Sequence, residues 1–179
     1  MKRSAIFLDR DGVINKEINY LHKIQDFTFL DGVCDSLKYF QKNQYLIIII
    51  TNQSGIGRGI YSLDDFLTLN NWMLNKFEEN NILISEVFFC PHSPEDKCDC
   101  RKPKPGMINS AIKKFNIDPK SSWMIGDKED DIQAAIKAGI NHHILVRSGH
   151  KIDEKGSRAE YISDSIKEAG VIIEKFNSH

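Results

Sequence analysis

Asp9 and Asp11, set one residue apart in Asp9-Arg10-Asp11-Gly12, are the first side chains of this 179-residue sequence whose type and spacing suit catalysis. In an extended segment residues i and i+2 point the same way, so both carboxylates are expected to face one small volume. Carboxylates that close repel, and one protonates unless a cation or a shared task holds the pair. The dyad therefore suits Mg2+ with a carboxylate nucleophile and a neighbouring acid/base, and Gly12 lets the chain turn sharply away. On the tetrapeptide alone, a turn that carries two acids is the competing reading. Three further places suit the same chemistry. Thr51-Asn52-Gln53-Ser54-Gly55 offers a hydroxyl, amides and backbone N–H groups, which the oxygens of a phosphate need. Arg101-Lys102 supplies cations that neutralise phosphoryl charge. Asp127, followed by Lys128, Asp130 and Asp131, is placed to complete a hard-oxygen Mg2+ site.

A second constellation has softer ligands. Cys90-Pro91-His92 and Cys98-Asp99-Cys100 bring three thiols and an imidazole within eleven residues. Such a set suits Zn2+ in a closed tetrahedral site, structural because no position stays open for water. A disulfide between Cys98 and Cys100 is disfavoured by their one-residue spacing. The loop ends directly before Arg101-Lys102, so folding it would fix those cations.

The elements that must position these residues alternate along the chain. Short apolar runs at 5–8, 45–50, 84–89, 123–125, 143–146 and 160–162 predict strands. Helical stripes lie between them. The first, through Val33, Leu37 and Phe40, is expected to start at an Asp31 cap; the second follows Ser62-Leu63-Asp64-Asp65, which has the form of a capping box. The third opens near Pro105, the fourth closes at Gly139, and the last runs through Ile166, Ala169, Ile173 and Phe176. Near-continuous apolar strands alternating with helices predict an α/β fold, a doubly wound, mostly parallel sheet covered on both faces. Such a sheet keeps its site at the carboxyl ends of its strands, where Asp9, Thr51-Asn52 and Asp127 all fall. Glycines at 55, 57 and 59 read as a loop.

Composition narrows the function classes. The length fits one domain over 1–179, with the zinc loop at about 90–100. Lys and Arg total 24 against 25 Asp and Glu, a formal net charge of -1, so no overall basic field is available for nucleic acid. The longest apolar run, Tyr45 to Ile50, is far short of the roughly 20 residues that span a bilayer. No membrane partner is expected, nor a secretion signal, because only Ala5 to Leu8 separate the charged start from Asp9. The expectation is a cytoplasmic, monomeric protein. His142, His143, His150 and His179 read as surface histidines, Cys34, Trp72 and Trp123 as packing residues, and 151–155 as a solvated loop.

The motifs F-L-D-R-D-G-V-I-N (7–15), T-N-Q (51–53), R-K-P-K-P-G (101–106) and G-D-K-E-D-D (126–131) resemble those of the haloacid dehalogenase-like phosphatases. Within that superfamily, T-N-Q-S-G-I-G-R-G, C-D-C-R-K-P-K-P-G-M and L-V-R-S-G look most like the heptose bisphosphate phosphatases of lipopolysaccharide precursor synthesis. Histidinol-phosphate phosphatases, which share the zinc loop, are the alternative. The resemblance implies a Rossmann-type fold with a minimal cap, so that specificity falls to loops such as 15–30 and 54–60. It implies Asp9 as nucleophile, Asp11 as acid/base, and Thr51 and Lys102 as stabilisers of the transferring phosphoryl group. Asp9, Asp11 through its backbone carbonyl, and Asp127 would hold Mg2+, and Cys90, His92, Cys98 and Cys100 would hold Zn2+. The matching positions for a phosphorylated sugar are Arg10, Glu17, Ile18, Asn19, Tyr20, Asn52, Gln53, Ser54, Arg101 and Lys128. A zinc-stabilised nucleic-acid module that has lost catalysis is a competing class, and the -1 charge speaks against it.

Overall fold

The structure, a computed structural model, describes residues 2–178; Met1 and His179, and with it the reading of His179 as a surface residue, lie outside it. Six strands form one parallel sheet: β1 (Ala5–Leu8), β2 (Leu46–Asn52), β3 (Glu86–Cys90), β4 (Trp123–Gly126), β5 (His142–Val146) and β6 (Tyr161–Ser163), in the order β3-β2-β1-β4-β5-β6. The helices are α1 (Val33–Lys42), α2 (Ser54–Gly57, a single turn), α3 (Leu63–Glu79), α4 (Gly106–Phe115), α5 (Glu129–Lys137) and α6 (Ile166–Asn177).

The apolar strands divide between two cores because side chains alternate across a sheet. Ile6, Leu8, Ile47 and Ile49 face the core built with α1, α3 and α6. Ala5, Phe7, Ile48 and Ile50 face the core built with α4 and α5. A run such as Ile47 to Ile50 therefore serves both faces, which is why it shows no polar alternation. Trp123 is fully buried, and Trp72 and Cys34 pack against the first core.

Local expectations are met with three exceptions. Ser62 and Asp65 form the reciprocal capping box of α3. Asp31, however, does not cap α1: the cap position is Gly32, at φ 76°, and the Asp31 carboxylate lies in solvent beside Lys167. A left-handed cap of this kind favours glycine over any residue with a Cβ. The segment read as a glycine loop begins as the turn α2, and only Gly59 (φ 70°) takes the left-handed form. β2 also continues through Thr51 and Asn52, because β3 pairs with it as far as Cys90.

The chain builds β2 and β3 on one side of β1 and then crosses back to β4, β5 and β6 on the other. The switch point between β1 and β4 opens a crevice at their carboxyl ends, where an open α/β sheet binds its ligands. Residues 17–21 line it, and the segment 17–30 carries one short 3-10 turn, Ile24–Asp26, and no further helix or strand. Among the described residues, no helix is long and apolar enough to cross a membrane.

Candidate active site

Three buried carboxylates converge at the switch point. Asp9 follows β1, Asp127 follows β4 and Asp131 sits in the first turn of α5, with ligand oxygens within 4.8 Å of one another. One cation offsets them. Lys102 Nζ lies 2.9 Å from Asp9 Oδ1 and 2.7 Å from Asp131 Oδ1, and donates to the Ile50 carbonyl at 2.7 Å. The Asn52 side chain clamps that lysine by its main chain, accepting from the Lys102 N–H and donating to its carbonyl, each at 3.1 Å. Asp131 Oδ2 accepts from the N–H groups of Asp127 and Lys128, both at 3.1 Å, at the positive end of α5.

Three negative charges against one positive leave the cluster short of a cation. Burial raises the Asp9 carboxyl, but the charge of Lys102 outweighs it and holds the group below its usual range. Burial and the same neighbours act on Asp131, pushed up to about 6 despite Lys102. Asp127 bears the deficit: burial, then the charges of Asp9 and Asp131, push it up to about 9. Its Oδ2 accepts from the backbone N–H of His150 at 2.9 Å and lies 2.6 Å from His150 Nδ1, while its Oδ1 is buried without a partner. A Cβ at Gly12 or Gly149 would overlap this carboxylate, so both glycines leave room for it. An all-oxygen cluster with an unpartnered buried oxygen and excess negative charge fits a small divalent cation such as Mg2+.

Asp11 is not in this cluster. The Arg10 carbonyl accepts from the N–H groups of Val13, Ile14 and Asn15, so the chain leaves its extended path directly after Asp9. The two carboxylates therefore share a cleft but not a ligand cluster. The Asp11 carboxylate is instead surrounded by donors: Arg10 Nη2 at 2.9 Å, Asn15 Nδ2 at 3.0 Å and Gln53 Nε2 at 3.1 Å. Asp11 and Asp9 still line one cleft, of about 250 Å³.

The walls of that cleft include Glu17, Ile18, Asn19, Tyr20, Asn52, Gln53, Ser54, Arg101, Lys102 and Lys128, all expected at the site. Thr51 and Asp127 lie behind the wall; the Thr51 hydroxyl is fully buried and accepts from Gln53 Nε2 at 2.8 Å. Arg10 does not reach the cleft. Its Nε and Nη2 bind Asp11, Nη2 also donates to the Leu21 carbonyl, the group lies over the Phe66 ring, and Nη1 is buried without a partner. Arg101 brings a buried Nη1 that has no partner.

Two site residues escaped the sequence reading. Asp131 stands four residues beyond Asp127, a spacing that returns it to the same side of a helix start. His150 is no plain surface histidine: it binds Asp127, and its Nε2 lies 3.5 Å from Glu17. The carboxyl-end rule applied to β5 would have found it, since Ser148-Gly149-His150 leaves that strand as Asp9 leaves β1. Ser148 Oγ ties the two loops together by donating to the Gly12 carbonyl at 2.7 Å.

Beside the cleft, Cys90 at the end of β3 meets His92, Cys98 and Cys100. Cys90 Sγ is 2.9 Å from Cys100 Sγ and 3.6 Å from Cys98 Sγ, and His92 Nδ1 is 3.4 Å from Cys90 Sγ and 3.2 Å from Cys100 Sγ. All four cysteines of the chain are free. These spacings approach the roughly 3.8 Å edge of a Zn–thiolate tetrahedron, and the four donors leave no open position, which fits a structural Zn2+.

A parallel α/β sheet with this carboxylate cluster and lysine at its switch point defines a haloacid dehalogenase-like hydrolase, and residues 99–169 match the HAD-hydrolase-like family model. At the level of the whole chain, a D-glycero-beta-D-manno-heptose-1,7-bisphosphate 7-phosphatase of Haemophilus influenzae is 43% identical over 178 residues, covering 96% of this chain and 97% of that one. A D-glycero-alpha-D-manno-heptose-1,7-bisphosphate 7-phosphatase of Photorhabdus laumondii is 47% identical over 165 residues, covering 88% and 90%. The crystal structure of D,D-heptose 1,7-bisphosphate phosphatase from B. bronchiseptica, complexed with magnesium and phosphate, superposes with a TM-score of 0.85 at 26% identity over 97% of this chain and 99% of that one. The chain belongs to the family of D-glycero-D-manno-heptose-1,7-bisphosphate 7-phosphatases.

Proposed function

We propose that this protein hydrolyses the 7-phosphate of a D-glycero-D-manno-heptose 1,7-bisphosphate, with Asp9 as nucleophile. The observation that carries the reading is the Asp9–Lys102–Asp131 arrangement beside Asp127, held in a chain similar over nearly its full length to enzymes of that name. An Asp9 oxygen attacks phosphorus, the bond from phosphorus to the sugar oxygen breaks, and protonated Asp11 gives its proton to that oxygen. Asp11, now a carboxylate, takes a proton from the water that attacks the aspartyl-phosphate. The Asp9–phosphorus bond then breaks and inorganic phosphate leaves. Asp9, the main-chain carbonyl of Asp11 and Asp127 would hold Mg2+, whose charge offsets the repulsion between carboxylate and phosphate dianion. Lys102, held in place by Asn52, and Thr51 stabilise the transferring group, since catalysis of this kind is largely positioning and charge stabilisation.

A bisphosphate leaves one phosphate outside the reacting centre. Arg101, with its unpartnered Nη1, together with Lys128 and Arg58 on the cleft wall, supplies the cations for it. Charge-assisted bonds contribute roughly 1.5–3 kcal/mol each, enough for one or two orders of magnitude in selectivity. Glu17, Ile18, Asn19, Tyr20 and Ser54 are left to meet the sugar. Burial and the charge of Asp11 raise the Glu17 carboxyl above its usual range. The zinc loop holds Arg101 and Lys102 in register with the cleft. Relatives named for either anomer are similar to this chain, and the histidinol-phosphate alternative has no support among them. The deciding experiment compares kcat/KM for both heptose bisphosphate anomers and for histidinol phosphate. Heptose bisphosphate is expected to win by at least about tenfold; a win for histidinol phosphate removes the assignment.

A further inference from the structure

Tyr61 carries no role in the mechanism above, yet it lines the cleft and is only 7% exposed. Its hydroxyl donates to Gln53 Oε1 at 2.5 Å. The amide of Gln53 is directional. Its NH2 faces Asp11 and Thr51: Nε2 donates to Asp11 Oδ2 at 3.1 Å and to Thr51 Oγ1 at 2.8 Å. That leaves Oε1 as a buried acceptor needing a donor, and Tyr61 is the donor it has. The phenol is fixed in turn. Its ring stacks on His22, with centroids 5.1 Å apart and planes at 10°, and it fills the space where a Cβ on Gly55 would stand. Burial pushes the phenol up to about 12, so it keeps its proton through the neutral range.

We propose that Tyr61 is a positioning residue for Asp11, acting through Gln53. The proposal rests on the reading of Asp11 as acid/base. Without the hydroxyl, Gln53 has one buried amide atom unpaired, and the side chain turns to satisfy it. Asp11 then loses the donor that aims it at the leaving oxygen.

The experiment is Tyr61→Phe, which keeps the ring and its packing, measured alongside Gln53→Ala, the double variant and Asp11→Asn. Two substrates separate the roles: the heptose bisphosphate, whose departing alkoxide needs a proton, and a nitrophenyl phosphate, whose leaving group departs unaided. In Tyr61→Phe, kcat/KM for the sugar phosphate is expected to fall about tenfold, part of the contribution of a positioned acid, and for the aryl phosphate less than about threefold. Adding Tyr61→Phe to Gln53→Ala should then cost nothing further, since the two act in one chain of contacts. Equal losses on both substrates, or fully additive losses in the double variant, overturn the proposal. Asp11→Asn distinguishes the levels. If it shows the leaving-group dependence and Tyr61→Phe does not, only the role of Tyr61 falls. If Asp11→Asn shows none, the acid/base reading falls and takes the proposal with it.

Discussion

The two candidate metal centres of this protein contrast in almost every physical respect. The cluster of Asp9, Asp127 and Asp131 is assembled from two strand ends and a helix start, is built of oxygens, and keeps a lysine and an unpartnered carboxylate oxygen. The cluster of Cys90, His92, Cys98 and Cys100 comes from the end of β3 and the loop that follows it, and offers four sulfur and nitrogen donors, enough to fill a tetrahedral site. The first is open to a cleft and unbalanced in charge; the second is closed. A centre that must turn a substrate over needs vacancy and excess charge, whereas one that stabilises a loop needs neither. The contrast predicts that disabling the nucleophile of the first removes chemistry and spares the fold, that removing its lysine costs both, and that disturbing the second acts first on the fold.

The largest effect should come from Asp9→Asn, which keeps the shape but makes a far poorer nucleophile. Turnover should fall by at least about a thousandfold, with an unchanged far-UV circular dichroism spectrum. Near wild-type turnover in this variant would overturn the covalent mechanism.

Lys102→Met tests the lysine that joins Asp9 to Asp131. Removing one partner of a buried ion pair costs about 3–5 kcal/mol, so this variant should lose stability as well as activity. Denaturant unfolding measures the first and phosphate release the second. If stability is untouched, the cluster does not depend on that cation.

Cys98→Ser should act on the closed centre. Wild-type protein purified without added metal should contain about one zinc per chain by elemental analysis. The variant should lose that zinc and melt roughly 5–10 °C lower, as expected for about 2–3 kcal/mol in a chain of this size. Activity should fall only as Arg101 and Lys102 lose their fixed position. Zinc-free protein that is folded and fully active would erase the distinction between the two centres.

The smallest effect belongs to His150→Ala. It removes the imidazole beside Asp127 Oδ2 and leaves the backbone N–H bond in place. Outer partners of metal ligands typically contribute 10–100-fold in affinity, so Mg2+ binding by calorimetry should weaken about tenfold, with the melting temperature in EDTA unchanged. Unaltered Mg2+ affinity would show that the backbone bond alone orients Asp127.

Much of this molecule was legible along the chain. The six apolar runs became six strands, and Ser62 with Asp65 capped the helix it was expected to cap. Both are local effects: a side-chain period and a turn's own hydrogen bonds act over a few residues. The thiol and imidazole cluster was equally legible, since its four ligands lie within eleven residues of one another. The carboxylate centre was legible only in part. Strand ends of a parallel sheet gather on one edge, so Asp9, Thr51, Asn52 and Asp127 were expected together. The partners they take there were not.

What the sequence determined by itself is the sheet, the edge on which chemistry collects, and the residue types delivered to it, because each follows from periodicity and from the geometry of βαβ units. The tertiary structure alone decided the pairing. Asp131 and not the Asp11 side chain joins Asp9 and Asp127, Arg10 turns inward onto Asp11, and His150 closes on Asp127 across 23 residues of chain. Lys102 reaches Asp9 across 93. Such choices depend on distance, burial and the balance of charge among groups that meet only after the strands have aligned; the spacing of Asp131 and the strand-end place of His150 mark them as candidates without choosing their partners.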